Sequence, residues 1–256
     1  MRPPRSIPQA WGFAEVAVFV SAYLAAVWLI APRVAEAWAA ISIVGLTTGA
    51  VVLIGWLSPT VLHGDPPALR GWGRVTPPQR GAARVAWPLY AALTAGGIAV
   101  TAVLALLIRG PEGIQHIAWD GLPWRLARYL VFAQIQAMMV FGFILTRLRT
   151  ALGAFVVPGF GLQGLTCLLT ASIFCSLQLP NWPLVGLTFA VGLVWAWAFY
   201  TYPSILLVGI SHAVLGAATQ VILGLSTRIG PFYAHPDRYV FRALIPGLAD
   251  LIGGRF

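Results

Sequence analysis

Long apolar stretches alternate with short polar connections along most of the chain. The stretches long enough to be read as membrane spans lie at residues 11–31, 37–56, 85–108, 126–145, 161–177, 184–200 and 205–223. A helix needs about 20 mostly apolar residues to cross the roughly 30 Å hydrocarbon core of a bilayer. The pattern therefore predicts an all-α, polytopic membrane protein with about seven transmembrane helices.

The connections between these stretches are rich in Pro, Gly and Arg. They predict a loop at residues 63–84, a second at 109–125, and a tail at 226–256 that lies on the membrane surface. The first span leads directly into another and lacks a small-residue cleavage site, so we expect it to remain in the mature protein. The predicted organisation is amino-terminal helices at 1–125, a core at 126–224 and a surface tail at 225–256.

Composition agrees with this class of protein. Apolar residues make up 59% of the chain and charged residues only 9%, which is far less charge than a soluble domain exposes. The formal net charge is +9, and all basic residues are arginines scattered over the predicted loops. We expect these arginines to contact lipid headgroups, not nucleic acid. The expected location is a bacterial inner (cytoplasmic) membrane, with multiple passes and the lipid bilayer as a partner.

Three stretches of the second half occur in a distinctive order. They read QAMMVFGFILTRLRTALG from Gln136, ASIFCSLQLPNWP from Ala171 and TYPSILLVGISHAVLGAATQ from Thr201. Over residues 126–223 this order resembles the CPBP family, the intramembrane CAAX-type and bacteriocin-processing peptidases also called the Abi family. The resemblance implies a four-helix CPBP-like core.

The first motif of that family carries a Glu-Glu pair and an arginine. Aligned on Gly142 and Phe143, the glutamates fall on Gln136 and Ala137, and the arginine falls on Phe141. The resemblance therefore implies a site whose carboxylates have been replaced by neutral residues.

The second and third motifs are altered as well. Gln178 stands four residues beyond Phe174, where the family has histidine, and Gly216 stands where the family has Asn or Asp. His212 matches the histidine of the third motif. One of the six polar positions of the motifs is retained, and His212 is the residual catalytic candidate of this degenerate pocket.

Loss of the glutamates removes the group that would activate water. In the family this task belongs to the glutamate pair working with the two histidines, with or without a metal. An amide cannot accept a proton near neutral pH, so neither Gln136 nor Gln178 can serve as a general base. Among the acidic residues only Glu15 lies in a predicted span, close to its start, where we expect it to reach the interface. No histidine pair has ligand spacing, and we predict no metal site.

Glutamines in a bilayer core need hydrogen-bond partners, because an unpaired amide in hydrocarbon costs on the order of a few kcal/mol. We therefore expect Gln136 and Gln178 to pair with each other, with His212 or with a ligand. His212 is interpreted as a buried imidazole that is hydrogen-bonded to a neighbouring helix.

Three functional hypotheses follow. The first is a catalytically degenerate CPBP-fold protein that acts as a subunit, assembly factor or stabilising factor of a membrane protein complex. The second is an active intramembrane CAAX-type peptidase with an altered site around His212. The third is a lipid, isoprenoid or pigment-binding membrane protein. No cofactor is expected, and a bound lipid, isoprenoid or pigment belongs to the third hypothesis.

Overall fold

The computed structural model describes residues 10–26, 49–50, 52–65, 71, 77–115, 117, 119, 121–179 and 181–225. Throughout these ranges the chain is helical or forms turns, and none of the described residues lies in a strand. Most of the predicted second span and the whole predicted surface tail lie outside the described residues. The all-α class is confirmed for the part of the chain that is described.

Within the described ranges the helices are α1 (Trp11–Ala25), α2 (Leu53–Leu62), α3 (Pro77–Gln115), α4 (Leu122–Leu152), α5 (Phe160–Ser176), α6 (Trp182–Thr201) and α7 (Ile205–Leu223). They overlap the apolar stretches, but α3 begins inside the predicted loop 63–84 and α4 runs past the predicted end at residue 145. In α2, in residues Met138–Leu145 of α4 and in Thr219–Leu223 of α7 the backbone adopts the wider π-type turn. Such turns are uncommon and often occur next to functional groups.

Four of these helices are long and apolar enough to cross a membrane. They comprise Val85–Pro111 within α3, and the whole of α4, α6 and α7. The helices α1 and α5 are apolar but shorter, with 15 and 17 residues. The protein is therefore a helical membrane protein, and the described residues contain four candidate spans where the sequence pattern predicted about seven in the whole chain.

Helix ends are fixed by side-chain caps and by glycine. The side chain of Asn181 accepts a hydrogen bond from the backbone N–H of Leu184 at the start of α6, and Ser204 does the same for Leu207 at the start of α7. Gly224 has a φ of +68° and terminates α7 in the left-handed conformation that favours glycine. Arg109 of α3 donates to the carbonyl oxygen of Ile222 at 3.0 Å, so a cation also caps this carboxyl end.

The pairs α4–α7 and α5–α6 form the most extensive helix contacts, and α3 packs beside α7. Small residues allow these close approaches. A Cβ atom at Gly97 of α3 would lie 2.7 Å from Leu215 Cδ2, and one at Gly209 of α7 would lie 2.5 Å from Gln134 Oε1. Membrane helices associate through such close packing, since lipid tails are as apolar as the helix surfaces themselves.

Candidate functional site

His212 lies among aromatic rings between the helices of the core. The ring centroid of His212 is 5.0 Å from that of Trp195 and 5.7 Å from those of Tyr129 and Phe174. Phe141 packs against Phe174 at 6.2 Å. The structure thus brings together Phe141, Phe174 and His212 of the predicted pocket. We call these three with Tyr129 and Trp195 the aromatic chamber.

His212 has a buried nitrogen without a hydrogen-bond partner. The residue is only 5% exposed, and its Nδ1 atom has no partner among the described residues. Among the described residues His212 makes no hydrogen bond to Gln136 or Gln178, and the alternative expectation, that these glutamines pair with a ligand, stays a prediction. Within the described ranges no carboxylate forms an ion pair with His212 either. The proton-accepting partner that a histidine base would need is absent from these residues.

Gly216, one turn beyond His212, makes room for the ring of Tyr129. A Cβ atom at position 216 would lie 2.6 Å from Tyr129 Cζ and 2.9 Å from Tyr129 Cδ1, distances that real Cβ atoms do not adopt. Any side chain at this position therefore has to displace the tyrosine. The Tyr129 ring therefore occupies the space that a side chain at position 216 would need.

The remaining predicted pocket residues are buried or partly buried. Ala137 is 0% and Phe141 1% exposed, both in α4. Gln178 is 4% exposed and lies in the turn after α5, where its carbonyl oxygen accepts from the backbone N–H of Asn181 at 3.0 Å. Gln136 is half-buried. A glutamate at position 137 would accordingly lie within the protein core.

Two other glutamines form hydrogen bonds to neighbouring helices. The side chain of Gln134 donates to the carbonyl oxygen of Leu206 at 3.3 Å, and that of Gln163 donates to Thr201 Oγ1 at 3.2 Å. Both bonds join neighbouring helices, as expected for amides in an apolar environment.

Ser211 holds the aromatic chamber in place through Trp195. The indole Nε1–H of Trp195 donates to Ser211 Oγ at 2.9 Å, and the hydroxyls of Ser211 and Thr94 lie 2.7 Å apart in a hydrogen bond. The network joins α3, α6 and α7 around the chamber. Trp195 belongs to none of the three motifs, and sequence reasoning did not connect it with His212.

We expect Ser211→Ala to lower the free energy of unfolding by about 1–2 kcal/mol, because the buried Trp195 N–H loses its acceptor. Thermal unfolding followed by tryptophan fluorescence in detergent measures the effect. Ser176→Ala is the control, since Ser176 Oγ donates to the Ile173 carbonyl oxygen of its own helix and joins no second helix. Equal losses in the two variants would show that the network contributes nothing specific.

A second polar feature joins α1, α2 and α4. It consists of Glu15, Ser58, His63, Asp65 and Arg147, and we call it the charged cluster. Arg147 is 2% exposed, so the expectation that it contacts headgroups was wrong. The Glu15 side chain is 12% exposed and pairs with Arg147.

Arg147 is at the centre of the charged cluster. Its Nη1 donates to Asp65 Oδ2 at 2.6 Å and its Nη2 donates to Ser58 Oγ at 3.0 Å. Its Nε lies 2.8 Å from Glu15 Oε2 in an ion pair. Glu15 Oε2 also accepts from the Ser58 hydroxyl at 3.1 Å, while Glu15 Oε1 lies 2.8 Å from His63 Nε2. One guanidinium therefore connects three segments of the chain.

A signal for this cluster exists in the sequence. Glu15 was the only acidic residue in a predicted span, and an ionisable residue at such a position usually pairs with another polar or charged group inside the protein. Arg147 lies two residues beyond the predicted end of the fourth span, whereas α4 continues to Leu152. Extending that helix by two turns would have put a cation beside the apolar core.

Among the described residues no group of three or more His, Cys, Asp or Glu side chains is arranged to hold a metal ion. The aromatic chamber contributes one imidazole, and the charged cluster contributes one imidazole and two carboxylates that already bind Arg147 and Ser58.

Comparisons with protein-family models, with curated proteins and with solved structures give no match to this chain. The likeness to the CPBP family rests on the three motifs and their order.

Proposed function

We propose that the chain is a catalytically degenerate protein of the CPBP type that acts by binding, as a subunit, assembly factor or stabilising factor of a membrane protein complex. The observation that carries the proposal is the Tyr129 ring against Gly216. The Tyr129 ring fills the space next to His212 that a polar partner and a reacting water would need.

The composition of the chamber supports a binding role over hydrolysis. General-base catalysis needs a proton acceptor within hydrogen-bond reach of water. His212 faces the rings of Tyr129, Phe174 and Trp195 instead. Phe141 and Ala137, at two of the family's polar positions, are fully buried apolar side chains. The region is built as a packed core.

The surface of α3 supports association with other membrane helices. Only 11% of its most apolar window is buried, and Trp87, Val100, Val103 and Leu107 are each more than half exposed. Lipid or a neighbouring transmembrane helix can cover such a surface. A subunit or stabilising factor needs at least one helix of this kind.

The proposal is tested first by activity. Purified full-length protein, incubated in nanodiscs with a membrane-spanning peptide, is expected to leave the peptide intact, and His212→Ala is expected to behave in the same way. Combining Gln136→Glu, Ala137→Glu and Gln178→His should not produce cleavage unless Tyr129 is also removed. Cleavage by the wild type that His212→Ala abolishes would overturn the proposal in favour of an altered peptidase.

The binding role itself is tested by extraction of the tagged chain with its surrounding membrane into native nanodiscs. We expect other membrane proteins to co-purify in fixed ratio. The Leu107→Trp variant should lose them while retaining its thermal stability, because Leu107 is 76% exposed and the bulkier side chain adds no charge to the span. Recovery of the wild-type chain as a protein monomer with lipid alone would contradict the proposal.

A small-ligand role is the second candidate, favoured by the unpartnered Nδ1 of buried His212. A lipid, isoprenoid or pigment that carries a hydrogen-bond donor or a metal centre would satisfy this atom if Tyr129 moved aside. Absorption spectra and mass spectrometry of the protein purified from its native membrane distinguish this role, which predicts a stoichiometric ligand lost in His212→Ala.

A further inference from the structure

The ends of three helices meet at one boundary of the fold. The candidate span Val85–Pro111 of α3 ends there, where a φ of +68° at Gly110 breaks the helical path. Helix α6 begins at the same boundary and α7 ends at it, because Leu223 belongs to a buried cluster against which Leu104 and Leu187 pack. The ends of apolar spans lie at the level where the hydrocarbon of a bilayer meets its headgroups.

An apolar groove opens between these three helix ends. Its lining consists of Leu104, Ile108, Pro183, Leu187, Leu223 and Leu225. The volume of the groove is about 120 Å³. An apolar cavity of about 150 Å³ holds a benzene molecule, so this groove has room for a few methylene groups. Its size and lining fit a segment of a single acyl chain.

A cation lies at the rim of the groove. Arg109 follows Ile108 in α3 and is exposed. Its Nη1 donates to the carbonyl oxygen of Ile222, and its Nη2 would lie 3.5 Å from a Cβ atom at Gly224, so the guanidinium is held beside Leu223 of the groove. The bond to the carbonyl uses one of five N–H donors and leaves the positive charge in place. The ion pairs among the described side chains all belong to the charged cluster, and none involves Arg109.

The electrostatics of the groove favour an anion at its rim. The carboxyl end of α7 carries a partial charge of about −0.5 and the amino end of α6 one of about +0.5, so the two helix ends roughly cancel. The full positive charge of Arg109 therefore remains. Trp182, the first residue of α6, is 61% exposed, as expected for an indole at the level of the headgroups. An anionic head attached to an apolar chain is complementary to both the rim and the groove.

We propose that this groove binds one anionic phospholipid, with part of an acyl chain between Ile108 and Leu187 and the phosphate against the guanidinium of Arg109. A hydrogen bond from a guanidinium to a phosphate oxygen is charge-assisted and stronger than one between neutral groups. A helix of a partner protein is about 10 Å wide and does not enter a groove of this volume. The bound lipid joins α3 to α6. The site is separate from the aromatic chamber and does not depend on the proposed function.

Native mass spectrometry of the full-length protein in detergent measures lipid binding directly. The probes are phosphatidylglycerol and phosphatidylcholine with identical acyl chains. We expect one phosphatidylglycerol to bind about tenfold more tightly than phosphatidylcholine, and Arg109→Gln to remove this preference. Glutamine can still donate to the Ile222 carbonyl but has no charge. Arg128→Gln is the control, because Arg128 is exposed over the ring of Trp124 and does not line the groove. Equal affinity of the wild type for both lipids would leave the groove to another occupant, such as residues 226–256, and would overturn the proposal, as would an equal effect of Arg128→Gln.

The groove is tested separately by a substitution that changes no charge and does not depend on the folding of Arg109→Gln. Ile108→Trp fills the groove and should weaken phosphatidylglycerol binding about tenfold, the effect of excluding about two methylene groups. Leu106→Trp is the control, because Leu106 is 47% exposed and lies about 200° away around α3. Glycerol phosphate, which has no acyl chain, should not displace the lipid. Unchanged binding in Ile108→Trp, or displacement by glycerol phosphate, would show that the groove holds no acyl chain and that the proposal is wrong.

Discussion

Arg147→Gln is expected to lower the free energy of unfolding by about 3–5 kcal/mol, because it removes the buried cation that pairs with the carboxylates of Glu15 and Asp65. The guanidinium is 2% exposed and makes its contacts with these groups at 2.6–2.8 Å. Glutamine keeps much of the volume of the side chain but not its charge. Chemical or thermal unfolding of the purified protein in detergent measures the loss.

Arg149→Gln is the matched control two residues along the same helix. Arg149 is half-buried and stacks over Tyr200, so its replacement should cost less than about 1 kcal/mol. Adding Glu15→Gln and Asp65→Asn to Arg147→Gln should restore part of the lost stability, since the two carboxylates that paired with the guanidinium are then neutral. A triple variant less stable than Arg147→Gln alone would show that the cost of that substitution does not come from stranded carboxylates.

The charged cluster illustrates what hydropathy cannot predict. Glu15 and His63 are 48 residues apart in sequence, and Asp65 and Arg147 are 82 apart. No local pattern encodes such pairings, which depend on how helices of different parts of the chain pack. Hydropathy treats the charge of Arg147 as a reason to end the fourth span before it. The structure instead buries Arg147 inside α4 by supplying partners from two other helices.

Membrane spans were predictable because their signal is local. The last predicted span, 205–223, has the bounds of α7, and the third differs from the candidate span Val85–Pro111 by three residues at one end. The length of an apolar run follows from the thickness of the bilayer. The continuation of α4 to Leu152 was missed because arginine and threonine follow its apolar part, and the cost of burying them is offset only by tertiary contacts.

The aromatic chamber was predicted in part. The motifs bring Phe141, Phe174 and His212 together, and the structure places their rings near one another. Tyr129 was missed because it belongs to no motif and lies far from His212 in sequence. Its signal is indirect: a glycine stands at position 216, where a polar residue was expected, and a glycine inside a helix of a membrane protein often marks the close approach of another group.

The second large effect is expected at that glycine. Alanine in place of an open helical glycine normally stabilises a helix by about 1 kcal/mol, but Gly216→Ala should lower the free energy of unfolding by about 2–3 kcal/mol. The added methyl group has to push the Tyr129 ring out of its contact with α7 and with His212, and overpacking of a filled core costs energy of this size. Thermal unfolding followed by tryptophan fluorescence measures the change.

Gly186 of α6 provides the matched control, because a Cβ atom there meets nothing within 4 Å. We expect Gly186→Ala to be neutral or slightly stabilising. In a double-mutant cycle, Tyr129→Ala should remove most of the cost of Gly216→Ala, since the space of the ring then accepts the methyl group. Additive losses from Tyr129→Ala and Gly216→Ala would mean that the tyrosine does not fill the space beside position 216. The proposal of a closed, non-catalytic site would then be wrong.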